Sequence, residues 1–489
     1  MRLNARGIRL PPWTALAGLL SAVVIYAAGP PSFDALDGAE FVVASDGLSI
    51  AHPPGHPMLL MLLRIFPGRG FASGRLMLAV LGGVTVILAS KAAAGSGAIR
   101  ALSACALVFS PTVLAQFDTV EVYGLALLLS LSALLSRGSP AGPYLFGLSV
   151  FGGHPLCALL APVQIGRQWR RWWPLALPAA GLMLYVPLRA VSPSAIDPHY
   201  TRPDTIQDLT AYLGMYSGRL GGFSTDGFAL LGPWTAVSAI LLCLLAAAGG
   251  PRPGEIAALL LSLCFLAFYT VPDPAGMAFP AALSLWLPAA RGAARLSGGR
   301  SHAARIAAPA CMAAVAAFGL AGSVRSRDCI ARTISCGMLR EAPPGAIYCT
   351  TGHDTFHAAY LFSMDDLRPD VIPSDTYGNY FHLSLREPFP DSMGGRPLAA
   401  TRAWESPSLA LSGLTFGTRC PEGAMVDPDL AAMRASSPDA FAMDLAAEAY
   451  ARLAIQTSGD ARDSLSRLAL STAGTGSALA RLEVMLEFR

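Results

Sequence analysis

Apolar runs of about 15–22 residues recur through the first two-thirds of the chain, separated by short polar segments. Each is long enough to cross a hydrocarbon core of roughly 30 Å as a helix. The pattern predicts a first span near Trp13 to Ala28. Others follow near Arg75 to Leu88, from Ala101, from Val122, and near Trp173 to Val191. The last four lie near Phe228 to Ala248, Ile256 to Val271, Met277 to Ala290 and Ala304 to Gly322. The stretch between Arg137 and Arg167 reads as two short helices turning at Gly152-Gly153-His154-Pro155, where Gly and Pro supply turn chemistry. The total is about eleven transmembrane helices, oriented by where Lys and Arg fall.

Arg2, Arg6 and Arg9 place the N-terminus in the cytoplasm. The loop from Pro30 to Pro57 carries Asp34, Asp37, Glu40 and Asp46 with no Lys or Arg, so it lies on the opposite face. Arg291, Arg295, Arg300 and Arg305 mark the inside before the final span, which delivers the rest of the chain outside. The basic start before Trp13 also suits a signal peptide, with Ala27-Ala28-Gly29 as a loose cleavage site. The many later spans favour a retained first helix. Residues 1–323 therefore form a multi-span domain, and residues 324–489 a soluble exported domain of mixed α/β or α-rich character. Within the latter, Ala346 to Thr350 reads as a buried strand, and Ala- and Leu-rich segments from Pro428 onward read as amphipathic helices.

Composition agrees. Of 489 residues, 53% are hydrophobic and 14% charged, and the mean hydropathy is +0.48. A soluble chain carries roughly 25% charged residues. The net charge of +3 and the lack of a dense basic run exclude a nucleic-acid partner. Of nine cysteines, Cys329, Cys336, Cys349 and Cys420 fall in the exported domain, where disulfides are permitted. The sequence has no phosphate-binding glycine loop, dinucleotide fingerprint, Cys-x-x-Cys pair or His-Glu-x-x-His motif.

The candidate chemistry lies in the first outer loop. Asp37 and Glu40, three apart, share a helical face at the water–lipid boundary, where partial desolvation raises a carboxylate pKa and improves it as a base. Equally, both could be ordinary solvated acids. His52-Pro53-Pro54-Gly55-His56-Pro57 fixes His52 in a stiff turn, or simply starts a helix. Glu121 and Tyr123 stand at a span edge, His154 at the proposed hairpin turn, Arg189 at the end of a span and Arg64 in an otherwise apolar run. Ionisable groups at membrane depth usually line cavities or pathways, although Arg can snorkel to the interface.

Asp37-Gly38-Ala39-Glu40-Phe41 followed by Ala51-His52-Pro53-Pro54-Gly55-His56-Pro57 resembles the first-loop signature of a membrane family long catalogued as a domain of unknown function. That family includes the animal transmembrane O-mannosyltransferase that acts on extracellular domains of receptors, and many bacterial members. Glu121-Val122-Tyr123, Gly153-His154, Tyr185 to Arg189, Asp273 and Arg368-Pro369-Asp370-Val371 support the likeness. The chain departs from the family pattern at His56, where an aromatic is usual, at Leu114, where Trp is usual, and at Met77, where Asn is usual. Such changes bear on the acceptor, the sugar and the retention of activity.

The resemblance implies a glycosyltransferase of GT-C type in the cytoplasmic membrane. It would take a sugar, mannose by analogy with the animal enzyme, from a polyprenyl-phosphate donor to a hydroxyl on a protein, lipid or glycan. Asp37 would be the base, with Glu40 positioning the acceptor or sharing that work. His52, His56, Glu121, Tyr123, His154 and Arg189 would bind substrate, and a divalent metal at Asp37 and Glu40 is an option but no requirement. The rival readings are a flippase of lipid-linked sugars and an inactive membrane-anchored binding protein.

Overall fold

The computed structural model describes residues 12–33, 36–165, 176–190, 231–269, 274–323, 330–375, 396–401, 410–412, 415–417, 440–456 and 460–472, with isolated positions between them. Asp34, Asp273, most of the loop from Ser192 to Asp226, Cys329 and Cys420 lie outside the described residues. The N-terminal arginines and the segment 418–439 do so as well.

The fold is mainly α-helical. Helix α1 (Pro12–Ala28) is the first expected span, and α2 (Gly38–Gly47) forms within the acidic loop. Helix α3 (Pro57–Ile65) begins on Pro57, just after the His52-Pro53-Pro54-Gly55 turn, where a missing N–H costs a helix nothing. Helix α4 (Gly70–Ala92) packs against α1, α5 (Gly97–Val108) and α7 (Val122–Leu135), with the single turn α6 (Pro111–Leu114) between the last two. Among the described residues, Gly70–Ala92, Gly232–Gly249 and His302–Gly322 are long and apolar enough to cross a membrane. Shorter apolar helices include Pro12–Ala28, Val122–Leu135 and Pro253–Phe268.

Apolar side chains gain little by leaving lipid, so close backbone approach has to supply the helix contacts. The Gly232–Gly249 and Phe279–Ser297 helices show how. A Cβ placed on Gly249 would lie 1.8 Å from the Pro288 carbonyl oxygen, and one on Gly292 would lie 1.8 Å from that of Leu245. Arg291 of the second helix also ties the pair to the start of the Pro253–Phe268 helix through an ion pair with Glu255 at 2.6 Å. The break predicted at Gly153-His154 is present: a π-helical turn, Ser149–Gly153, stops at His154, and a 3-10 helix, Pro155–Leu160, follows.

The described C-terminal part joins helices to a five-stranded sheet of order β2-β1-β3-β5-β4. Its strands are β1 (Ile347–Thr350), β2 (Ile372–Asp375), β3 (Leu398–Ala400), β4 (Ala410–Ser412) and β5 (Thr415–Gly417). β1 is the strand expected at Ala346 to Thr350 and runs parallel to both neighbours. The helix His353–Ser363 leaves its C-terminal end and packs on α2. Helices Ala440–Gln456 and Asp460–Thr472 match the amphipathic segments expected there. Cys336 and Cys349 are free thiols.

Candidate active site

The site is built where α2 begins. Asp37 occupies the position before the first helical turn, and Glu40 is three residues on, so both carboxylates emerge on one side. Room for this start depends on Gly38: a Cβ there would come within 2.9 Å of the Phe71 ring and 3.1 Å of the Val120 carbonyl oxygen. That contact brings the segment holding Asp118 and Glu121 alongside. Arg75, buried in α4, ties the same segment to α1 by donating to the backbone carbonyls of Asp118 (2.9 Å) and Tyr26 (2.5 Å).

His52 is folded back onto α2 by the prolines that follow it. Its backbone N–H donates to Glu40 Oε1 at 2.7 Å, and its ring Nδ1 lies 2.5 Å from Glu40 Oε2. The other ring nitrogen, Nε2, faces Asp37 Oδ2 at 3.6 Å. One imidazole therefore bridges the two acids, and ligand atoms of all three lie within 4.8 Å of one another. That donor set, two carboxylates and one imidazole, suits a divalent ion.

The acids differ in environment. Glu40 is fully buried, whereas the Asp37 side chain retains 30% of its exposure. Burial pushes the Glu40 carboxyl above its ordinary value, against the pull of His52. Burial acts on Asp37 in the same direction but is outweighed by His52 and His353, which hold its carboxyl well below the usual range. The rise expected from desolvation therefore falls on Glu40, which the Asp37 charge raises further, and not on Asp37, beside which His353 and His56 add to the pull of His52.

From His52 a row of rings runs inward. His56 lies 5.0 Å from His52 and stacks on His154 at 5.8 Å with the planes 16° apart. His154 in turn lies 4.8 Å from Tyr123. His56 is almost wholly buried, in a left-handed backbone conformation (φ 43°). Burial and the nearby His52 push its imidazole well below the ordinary histidine value. A buried neutral imidazole presents one N–H and one lone pair. His154 is set against Tyr123 because Gly153 touches α7: a Cβ there would come within 2.9 Å of the Ala126 Cα.

This chain is similar in fold to ArnT. ArnT from Cupriavidus metallidurans in the apo state superposes with a TM-score of 0.52, covering 83% of this chain and 98% of that one at 13% sequence identity. The crystal structure of the same ArnT bound to undecaprenyl phosphate gives a TM-score of 0.49, 79% and 92% coverage, and 14% identity. No family model matches the sequence, and no curated protein does. The likeness is one of fold, a mainly helical architecture like that of ArnT.

Within this ArnT-like fold, Asp37, Glu40, His52, His56, His154 and Tyr123 form one continuous group. Glu121, also buried, precedes α7 and lies next to the start of α2 through Val120. Arg189 stands apart. Its Nη2 donates to the Gly47 carbonyl at 3.2 Å, at the far end of α2, about 15 Å from Asp37 along the helix axis. Arg64 is exposed and pairs with Asp46 at 3.2 Å, a surface role. One site residue escaped sequence reasoning. His353, the first residue of the helix after β1, places Nε2 3.3 Å from Asp37 Oδ1.

Proposed function

We propose that this protein is a membrane glycosyltransferase that moves a sugar from a polyprenyl-phosphate donor to a hydroxyl acceptor at the outer membrane face. The observation that carries the reading is a partly exposed carboxylate, Asp37, set against a buried Glu40–His52 pair. The GT-C type fold and the first-loop likeness to the O-mannosyltransferase-like family support it.

In the reaction, an acceptor hydroxyl approaches Asp37 and gives it a proton as its oxygen forms a bond to the anomeric carbon. The bond from that carbon to the phosphate oxygen breaks, and its electron pair leaves with the polyprenyl phosphate. Asp37 is a weak base, so its task is to hold the hydroxyl in line and receive the proton as the bond forms. A positioned base of this kind contributes about 10²–10⁴-fold. Glu40 fixes His52, and His52 steadies Asp37. His56 and His154 supply N–H groups to the departing phosphate, and Tyr123 backs His154. Hydrogen-bond donors aimed at developing charge are strongest where water is excluded. A divalent ion held by Asp37, Glu40 and His52 would add Lewis-acid stabilisation of the same phosphate. Mannose is the sugar favoured by the family likeness.

Membranes carrying wild type or Asp37→Asn, supplied with a radiolabelled panel of undecaprenyl-phosphate hexoses and pentoses, test the proposal. Wild type should label endogenous acceptors, and the variant should lose at least about 100-fold of that transfer. Equal labelling by both removes Asp37 as the base. Sugar crossing the bilayer with no glycosylated product favours a flippase.

A further inference from the structure

We infer that the exported domain completes the catalytic site, with His353 as a positioning residue for Asp37. This inference rests on the glycosyltransferase reading and adds to it a second imidazole from a distant part of the chain. His353 opens the helix that follows β1, after Gly352, whose positive φ of 58° turns the chain sharply. That helix docks on the first-loop region through residues spaced three, four and seven from His353. Phe356 faces His52 at 6.4 Å, and His357 stacks on Phe33 at 5.0 Å. The Tyr360 hydroxyl accepts the Phe71 N–H at 3.2 Å. Such spacing puts all four on one helical face.

These three anchors are buried or nearly so, whereas His353 keeps a quarter of its side-chain exposure. It is therefore the least buried of the four residues on the docked face, beside an Asp37 carboxylate that is also partly exposed. His52 meets one carboxylate oxygen and His353 the other, so the two imidazoles fix the plane of the carboxylate. With His52 alone the group is free to swing about its last torsion, and its broad rotation costs little. A swung carboxylate misplaces the acceptor hydroxyl, and a misplacement near 1 Å costs up to about 100-fold. Docking does not need His353, since Phe356, His357 and Tyr360 supply the buried contacts.

The test compares wild type, Asp37→Asn, His353→Ala and His353→Gln in detergent-solubilised membranes, using the same undecaprenyl-phosphate sugar panel. The glutamine amide can place an N–H near the position of the imidazole Nε2. His353→Ala should lower kcat by about 10- to 100-fold with donor KM little changed and melting temperature held. His353→Gln should recover much of the loss. Unchanged kcat in His353→Ala overturns the inference, as does a loss that tracks a fall in melting temperature and is not rescued by Gln. If wild type and Asp37→Asn transfer equally, the reading of Asp37 as base fails, and the positioning role falls with it. Transfer lost only in Asp37→Asn leaves that reading standing and removes His353 alone.

Discussion

Glu40 receives both polar groups that His52 turns toward it, the backbone N–H at 2.7 Å and ring Nδ1 at 2.5 Å. Because Glu40 is fully buried, its removal leaves both groups without their partner inside the protein. Glu40→Ala should therefore cost roughly 1–3 kcal/mol of stability, the penalty for leaving buried polar groups unpaired. Transfer should fall with it as His52 loses its anchor. Glu40→Gln keeps a carbonyl oxygen for the backbone N–H and should lie between Ala and wild type. Thermal melting in detergent and transfer to acceptors check both statements. An Ala variant melting with wild type would contradict the anchoring role.

The stacked His56 and His154 should act on donor binding. As neutral rings they offer N–H groups to a phosphate that is anionic both before and after the sugar leaves. An interaction made in ground and transition states alike changes KM more than kcat. His154→Ala and His56→Phe should each raise donor KM by roughly 10- to 100-fold, the worth of one hydrogen bond to a charged group. Phe retains an aromatic surface for the 5.8 Å stack, so its effect isolates the lost N–H. Donor titrations at saturating acceptor measure this. A change confined to kcat would argue that the rings meet the phosphate only as it departs and take no part in donor binding.

Much of this site is local in sequence, which is why it was legible. The acids, the His-Pro-Pro-Gly turn and α3 lie within about thirty residues, and short-range spacing decides which side each carboxylate takes. The Gly153-His154 break was legible because Gly and Pro interrupt an apolar run whatever packs on it. The strand at Ile347–Thr350 was legible from its apolar run before a polar turn. His353 was not, because its meeting with Asp37 depends on one helix face docking across the fold. The difference between the two acids also escaped, since it depends in part on His353. Arg189 sits in a suggestive apolar run, but only the chain path after Leu184 puts it at the opposite end of α2.

That placement can be tested alongside its neighbour. The Tyr185 hydroxyl touches the Leu48 and Ser49 carbonyls at 2.7 and 2.9 Å, just where α2 ends on a left-handed Leu48 (φ 51°). Tyr185→Phe should destabilise the protein by about 0.5–1.5 kcal/mol, one net hydrogen bond. Arg189→Ala should leave donor KM within about threefold of wild type, since its head group meets the Gly47 carbonyl far from the histidine row. A tenfold rise in donor KM for Arg189→Ala would instead return it to the phosphate.

The Arg368-Pro369-Asp370-Val371 stretch, one of the likenesses to the O-mannosyltransferase-like family, has a structural task here. Arg368 grips Asp370 with two hydrogen bonds, at 2.8 and 2.9 Å. Its Nη1 donates to the Leu339, Arg340 and Ala342 carbonyls, closing the end of the Ile330–Glu341 helix just before β1. Arg368 beside it, followed by the Gly345 N–H at 3.0 Å, holds the Asp370 carboxyl well below the usual carboxylate range. A folded-state pKa below the unfolded value of about 3.9 gives stability that is complete above that value. It is lost as pH falls toward the folded pKa. The melting difference between wild type and Asp370→Asn should therefore be constant from pH 7 to about 5 and shrink below about 4. Asp370 is exposed, so solvent keeps the difference small, and salt should reduce it further. Arg368→Lys should lose more than Asp370→Asn at pH 7, because an ammonium cannot hold a carboxylate and three carbonyls at once. A melting difference for Asp370→Asn that persists unchanged at pH 3 would show that the carboxylate charge is not what closes the helix.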